Sequence, residues 1–156
     1  MYYKILKRSE YDLADSFVKS HRNGNFFQSS AWQKVKSNWQ GEIVASFNEN
    51  GDITGVAQLL IQKGFMYCPR GPVCDYYNLE SFDVLKKGID EVAKRYKAHK
   101  VKMDPDILFT NSFFLNEMKK RGFKHIYGKS SFDTIQARFN YRLIVLDKSK
   151  EEVLNN

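Results

Sequence analysis

Apolar and polar positions along this 156-residue chain switch several times between a two-residue and a helical period. Tyr2–Leu6 predicts a short opening strand. Ser9 followed by Asp12 predicts a capping box and a helix over 10–21, with Tyr11, Ala14, Phe17, Val18 and His21 on one face. Asn23-Gly24 marks a turn. Ser29 or Ser30 caps a second helix over 30–38, whose buried stripe is Trp32, Val35 and Trp39, and Gly41 breaks it. Glu42–Phe47, Ile53–Gln62 and Phe65–Cys68 then read as strands joined by short polar turns, which predicts an antiparallel meander. Pro69-Arg70-Gly71-Pro72 is rigid loop punctuation.

A longer loop leads to a helix over 79–98 with Phe82, Leu85, Ile89, Val92, Ala93 and Tyr96 in its apolar stripe. Lys100–Met103 is a short strand that Asp104-Pro105-Asp106 stops. A helix over 111–121 ends at Gly122. Phe123–Tyr127 and Tyr141–Leu146 read as closing strands with an irregular stretch between them, and residues 147–154 open a further helix. There is no repeat and no low-complexity segment. The fold class is α/β in the α+β sense: a mixed, largely antiparallel sheet flanked by helices. Its element order resembles the GCN5-related acetyltransferases, which implies their fold and not their activity.

Composition narrows this picture little. Apolar residues make up 42%, charged residues 28% and aromatic residues 15%, which is an ordinary globular chain rich in rings. Charge changes more. The formal net charge is +7. Residues 1–78 hold nine Lys+Arg against seven Asp+Glu, and residues 79–156 hold sixteen against eleven. A basic surface suits an anionic partner such as a nucleic acid, a pyrophosphate or an anionic membrane face, or it is simply a solvated Lys-rich surface. Cys68 and Cys74 match no zinc or redox spacing and predict buried free thiols in a reducing, cytosolic setting. The N-terminus has no signal-peptide pattern, and no run approaches the ~18 apolar residues of a membrane span, so membrane contact is expected to be peripheral.

Catalytic constellations are few. There is no nucleophile elbow, phosphate loop or metalloprotease motif, no metal cluster, and the three histidines lie near element ends without an obvious partner. The acetyltransferase pyrophosphate loop is missing, because Arg121-Gly122 is followed by Phe and Lys. Four features stand out. Lys36 flanks Trp32 at helical spacing, so its stem can lie on apolar surface with the ammonium in a groove; a snorkelling surface lysine is the other reading. In Tyr67-Cys68-Pro69-Arg70-Gly71-Pro72-Val73 the two prolines hold a guanidinium stiffly and Gly71 permits close backbone approach; an ordinary Pro-Gly turn is the other reading. Asp104 and Asp106 sit where a strand ends, as a site or as caps of the next turn. Phe26, Phe27, Tyr76 and Tyr77 fall near these loops, as core or as groove.

In this order, Phe27-Gln28-Ser29 with Trp32-x-x-Val35-Lys36, Pro69-Arg70-Gly71-Pro72-Val73 and Lys102-x-Asp104-Pro105 resemble the FemABX family of peptidoglycan interpeptide-bridge aminoacyl transferases. Arg121-Gly122-Phe123, Asp133-Thr134-Ile135-Gln136 and Leu143–Lys148 extend the likeness over nearly the whole chain. The resemblance implies transfer of an amino acid from aminoacyl-tRNA to the stem peptide of a cell-wall precursor, lipid II or its UDP-linked soluble counterpart, with no metal and no acetyl-CoA. It implies that Lys36, Arg70, Gly71, Trp32 and Tyr67 bind substrate and that Asp104 lies in the acceptor groove. Asp104 serves either as a base or as a holder of the acceptor ammonium; holding is preferred, because no neighbour in sequence would raise its pKa. Family members have two acetyltransferase-like halves. Residues 1–146 are expected to be the first half and 147–156 the start of a linker or helix toward a second half. That second half would carry most of the tRNA contact, so this chain alone is expected to be inactive. A cytoplasmic location, at the inner face of the plasma membrane, goes with this reading. A stand-alone N-acetyltransferase and a non-catalytic RNA- or partner-binding module are the alternatives.

Overall fold

Six strands build one twisted sheet. They are β1 (Tyr2–Ile5), β2 (Gln40–Phe47), β3 (Ile53–Gln62), β4 (Phe65–Cys68), β5 (Val73–Cys74) and β6 (Lys100–Met103). The order is β1-β2-β3-β4-β6, with β5 beside β3. Every pairing is antiparallel except β4–β6, which is parallel. The computed structural model describes residues 1–108, 110–126, 132–133, 136–137 and 147–154. The chain divides into two units, Met1–Glu117 and Met118–Asn156.

In the first unit helices cover both faces of the sheet. This explains why β2 and β3 read as near-continuous apolar runs instead of clean alternation. Successive strand residues point to opposite faces. Ile43, Ala45, Phe47 and Val56 join Leu6, Val73 and the α1 (Tyr11–Ser20) residues Ala14 and Val18 in one buried cluster. Val44 and Gly55 face the other way, toward α3 (Glu80–Arg95), which buries Phe82, Leu85, Ile89 and Val92. Burying each such aliphatic side chain stabilises by roughly 1.5–3 kcal/mol. Tyr3 and Tyr96 fasten the layer at its rim, donating to Glu91 at 2.8 Å and Glu42 at 2.6 Å.

Four expectations change in this unit. α1 is not capped by Ser9 and Asp12. Residues Arg8–Glu10 form a 3-10 turn, and the Glu10 carboxylate accepts from the Lys7 N–H at 2.9 Å, two residues earlier than the expected box. α2 spans only Ser30–Val35. Its start is secured by Asp15, which accepts from the Ser30 N–H at 2.7 Å and the Ser30 hydroxyl at 2.6 Å. No α2 residue is buried, and Val35 is 65% exposed, so Trp32, Val35 and Trp39 are not a core stripe. A helix of six residues is too short to bring Trp39 round onto Trp32's face. Finally, Val73-Cys74 leaves the loop to pair with β3.

The second unit begins within α4 (Ser112–Lys120). Gly122, at φ +83, ends it: the Gly122 N–H donates to the Lys119 carbonyl and the Phe123 N–H to Met118, each at 3.0 Å. Residues 123–126, expected as a strand, carry no regular structure. β7 (Phe132–Asp133) and β8 (Gln136–Ala137) instead pair antiparallel inside the stretch expected to be irregular. Tyr127 and the expected strand Tyr141–Leu146 lie outside the described residues. The predicted helix opening is α5 (Lys150–Leu154), with a capping box in which Ser149 and Glu152 bond each other's backbone N–H.

A Cβ at Gly88 would lie 2.5 Å from Val44 Cγ1 and 2.8 Å from Tyr3 Cδ2. Gly88→Ala is expected to destabilise by about 1–3 kcal/mol despite the ~1 kcal/mol helix-propensity gain, because α3 must lift off the sheet. Urea denaturation checks the sign.

Candidate functional site

The sheet opens along one edge of β3. β4 pairs with β3 at Leu60–Gln62, and β5 pairs with it again at Gly55–Val56. Between these ladders Pro69–Pro72 leaves the sheet, and the Gln58 backbone loses its strand partner. The Gln28 side chain takes that place. Its Oε1 accepts from the Gln58 N–H at 2.8 Å, while its Nε2 donates to the Pro69 carbonyl at 2.6 Å and lies 3.4 Å from the Gln58 carbonyl. A carboxamide is a peptide group in miniature, so it can satisfy a strand edge buried from water. Gln28 and Gln58 are both fully buried. Gln58 Nε2 in turn donates to the Phe27 carbonyl at 2.6 Å.

The displaced loop carries the site. Arg70 stands at φ +50, a left-handed backbone that non-glycine residues seldom adopt. Its N–H donates to Asp104 Oδ1 at 2.7 Å. The Tyr67 hydroxyl donates to Asp104 Oδ2 at 2.8 Å. Asp104 therefore does not cap the turn that follows it. It reaches back across the carboxyl ends of the parallel pair β4 and β6 to the loop that follows β4. Gly71 is required by Gln28: a Cβ there would fall 2.4 Å from the Gln28 Cδ. Tyr76 closes the loop from the far side, donating to the Pro72 carbonyl at 2.5 Å.

Burial raises the Asp104 pKa, and the bonds from Arg70 and Tyr67 and the charges of Arg70 and Lys102 only partly oppose it. The expectation that nothing would raise this pKa is thus corrected, since a desolvated strand end has no signature in the local sequence. Each Asp104 oxygen accepts one described bond and keeps lone-pair capacity for a donor from solution. The group can hold a cationic amine. Cys68 and Cys74 are buried free thiols, and burial pushes the Cys74 thiol up to about 12. Neither offers a thiolate nucleophile at neutral pH.

Trp32 and Lys36 join this group through a relay of contacts. Phe27 packs edge-on to Trp32 at 4.6 Å, Phe26 stacks on Phe27 at 4.1 Å, and the Lys36 ammonium lies 5.5 Å from the Trp32 ring centre. Of the four singled-out aromatics, Tyr76 is buried core, Phe27 is half-buried, and Phe26 and Tyr77 are exposed. The two glutamines organise the site without belonging to any of the four features that stand out in the sequence. Their signal was present: Gln58 is polar inside the apolar run Val56–Ile61, and such a residue needs a buried partner.

The sequence profile of the FemAB family matches residues 6–156. The chain belongs to the FemAB family. The lipid II:glycine glycyltransferase of Staphylococcus aureus (strain bovine RF122 / ET3-1) is 37% identical over 153 residues, covering 91% of this chain and 36% of the relative. The enzyme of the same name from strain NCTC 8325 / PS 47 matches at the same identity and coverage. The crystal structure of FemX aligns with a TM-score of 0.77 at 34% identity, covering 88% of this chain and 36% of that one. A probable acetyltransferase aligns over its whole length with a TM-score of 0.60 at 14% identity, which bears out the acetyltransferase-like fold and carries nothing further. This FemAB chain therefore spans about a third of the length of the curated relatives it matches. Among the described residues no helix is long and apolar enough to cross a membrane, and no group of three or more His, Cys, Asp or Glu side chains could hold a metal ion.

Two outcomes follow from the geometry. Gln28→Leu leaves the Gln58 N–H and the Pro69 carbonyl buried without partners, and about 2–4 kcal/mol of stability is expected to be lost in urea denaturation. Asp104 has a folded pKa above its ordinary 3.8, so protonation favours the folded state. Its contribution is fully present below the unfolded pKa and is lost as pH rises through the folded value. In Asp104→Asn that loss of stability with rising pH is expected to vanish, as followed by thermal melts from pH 3 upward on the order of one-unit steps.

Proposed function

We propose that this chain is the acceptor-binding part of an aminoacyltransferase that moves an amino acid from aminoacyl-tRNA to the stem-peptide amine of a peptidoglycan precursor. The observation that carries the reading is Asp104, held by the Tyr67 hydroxyl and the Arg70 N–H just past the carboxyl end of β6. Similarity to lipid II:glycine glycyltransferases supports the substrate class. Attack of a neutral amine on an activated ester asks the protein mainly to align two substrates, and a carboxylate fixed by two donors is suited to that. In this reading Asp104 holds the acceptor ammonium, Lys36 meets precursor phosphate beside Trp32, and Arg70 and Gly71 shape the groove. Residues 1–146 act as the first acetyltransferase-like half and 147–156 lead toward a second. Aminoacyl-tRNA contact belongs mostly to that second half, and the enzyme works at the cytoplasmic face of the plasma membrane.

A second reading, in which Asp104 is a general base, is favoured by its raised pKa. Titration with a UDP-linked muropeptide separates the readings. Lys36→Ala and Arg70→Ala are each expected to weaken binding about tenfold, in line with loss of one charge-assisted contact. Asp104→Asn weakens binding by a similar factor if the carboxylate holds the ammonium, and leaves it unchanged if the carboxylate is only a base. Absence of any binding by the native chain overturns the proposal for this part of the enzyme.

A further inference from the structure

Two pairs of neighbouring rings, Tyr76-Tyr77 and Phe113-Phe114, are each split between core and surface. The inward rings, Tyr76 and Phe114, are buried and meet edge-on at 5.2 Å. The outward rings, Tyr77 and Phe113, are 66% and 46% exposed, yet they lie within 16° of parallel with centres 6.4 Å apart. This alignment is built from behind. Phe114 also packs edge-on to Phe82 of α3 at 6.3 Å, the Tyr76 hydroxyl donates to the Pro72 carbonyl, and Asp75 Oδ1 accepts from the Tyr77 N–H at 2.9 Å. The two exposed rings are thus held in place from the core side.

Polar groups stand at their rim. The Arg22 guanidinium lies 5.8 Å from the Tyr77 ring centre, and its Nη2 donates to Asp75 Oδ1 at 3.2 Å. That oxygen is therefore used twice. Asp75 Oδ2, the other guanidinium N–H groups and the Tyr77 hydroxyl have no partner among the described residues. Spare donors and a spare acceptor thus sit side by side next to two ring faces.

Charge narrows the partner. The chain carries +7 overall, but residues 71–85 hold Asp75, Glu80 and Asp83 and no Lys or Arg. Residues 103–118 hold Asp104, Asp106 and Glu117 and again no Lys or Arg. Arg22 is balanced by Asp75. A nucleotide or an anionic lipid would bring phosphate to a place where the one cation is already paired. An uncharged ring with an apolar face and a hydroxylated edge meets every group present. Its C–H bonds, slightly positive, point at the negative faces of Tyr77 and Phe113. Adjacent hydroxyls, each a donor and an acceptor, bridge the guanidinium and the carboxylate. A pyranose sugar has that form.

We infer that Tyr77, Phe113, Arg22 and Asp75 form a binding platform for a pyranose ring. The inference rests on the precursor reading above only for the source of the sugar, which is the glycan that carries the stem peptide. It deepens that reading by giving the sugar a seat separate from the carboxylate that holds the amine.

The test is titration of the native chain with chitobiose, a neutral disaccharide without peptide or phosphate, followed by NMR chemical shifts. Binding is expected with a Kd of roughly 1–10 mM, as befits an open platform. Tyr77→Ala and Asp75→Asn are each expected to weaken it about tenfold, the loss of one ring face or of one charge-assisted hydrogen bond. Asp75→Asn keeps the oxygen that accepts from the Tyr77 N–H, and an unchanged urea midpoint checks that each variant is folded. No shift with chitobiose, or indifference of its binding to both variants, overturns the inference. So does displacement of chitobiose by uridine monophosphate, which would make the platform a nucleotide site, or a dimer that Tyr77→Ala converts to monomer with no sugar bound. Chitobiose binding that both variants weaken, in a chain that binds no UDP-linked muropeptide, counts against the precursor reading and leaves the sugar platform standing.

Discussion

The structure turns on one side-chain amide. A sheet that opens between two neighbouring strands must leave backbone groups of the third without partners, and an unpaired buried N–H costs about as much as a lost hydrogen bond. Gln28 removes that cost. Its carboxamide occupies the gap between β4 and β5, bonds the Gln58 backbone as a strand would, and holds the Pro69 carbonyl of the loop that left. Everything specific to the site follows from that splice. Because Pro69 is fixed, Arg70 can be held at a left-handed backbone angle with its N–H on Asp104. Because Gln28 lies against the loop, position 71 has no room for a side chain.

The same arrangement sets the electrostatics. A carboxylate at an open strand end would be solvated and ordinary. Asp104 is drawn back against Tyr67 and Arg70, and the burial this entails raises its pKa more than its two donors lower it. The donors fix the direction of the carboxylate without neutralising it. Two properties that usually oppose each other, a fixed anion and a partly desolvated one, coexist here because the donors are one hydroxyl and one backbone N–H, and neither carries a formal charge.

Much of this was legible in the sequence, and the remainder has physical reasons. β2, β3, β4 and β6 were readable because their apolar runs are bounded by turns, and α3 because its stripe is long. α2 was misjudged because tryptophan and valine at helical spacing look alike whether they face a core or water; only tertiary placement decides. β5 was invisible, since two residues carry no period. Arg70, Gly71 and Asp104 were found as residue types in suggestive loops, while the reason they meet lay far upstream in Gln28, beyond any local pattern.

The 3-10 turn Phe26–Gln28 links the inside of the domain to its surface. Within three residues the chain sends Gln28 into the sheet gap, offers the Phe27 carbonyl to Gln58, and leaves Phe26 in water. Asn25 and Ser29 pin the turn at both ends, through bonds of 3.1 Å to the Phe27 N–H and 2.7 Å to the Phe26 carbonyl. A turn so short and so restrained cannot shift its exposed ring without disturbing its buried amide. The exposed Phe26 and the loop that carries the Arg70 N–H to Asp104 are therefore tied to the same three residues.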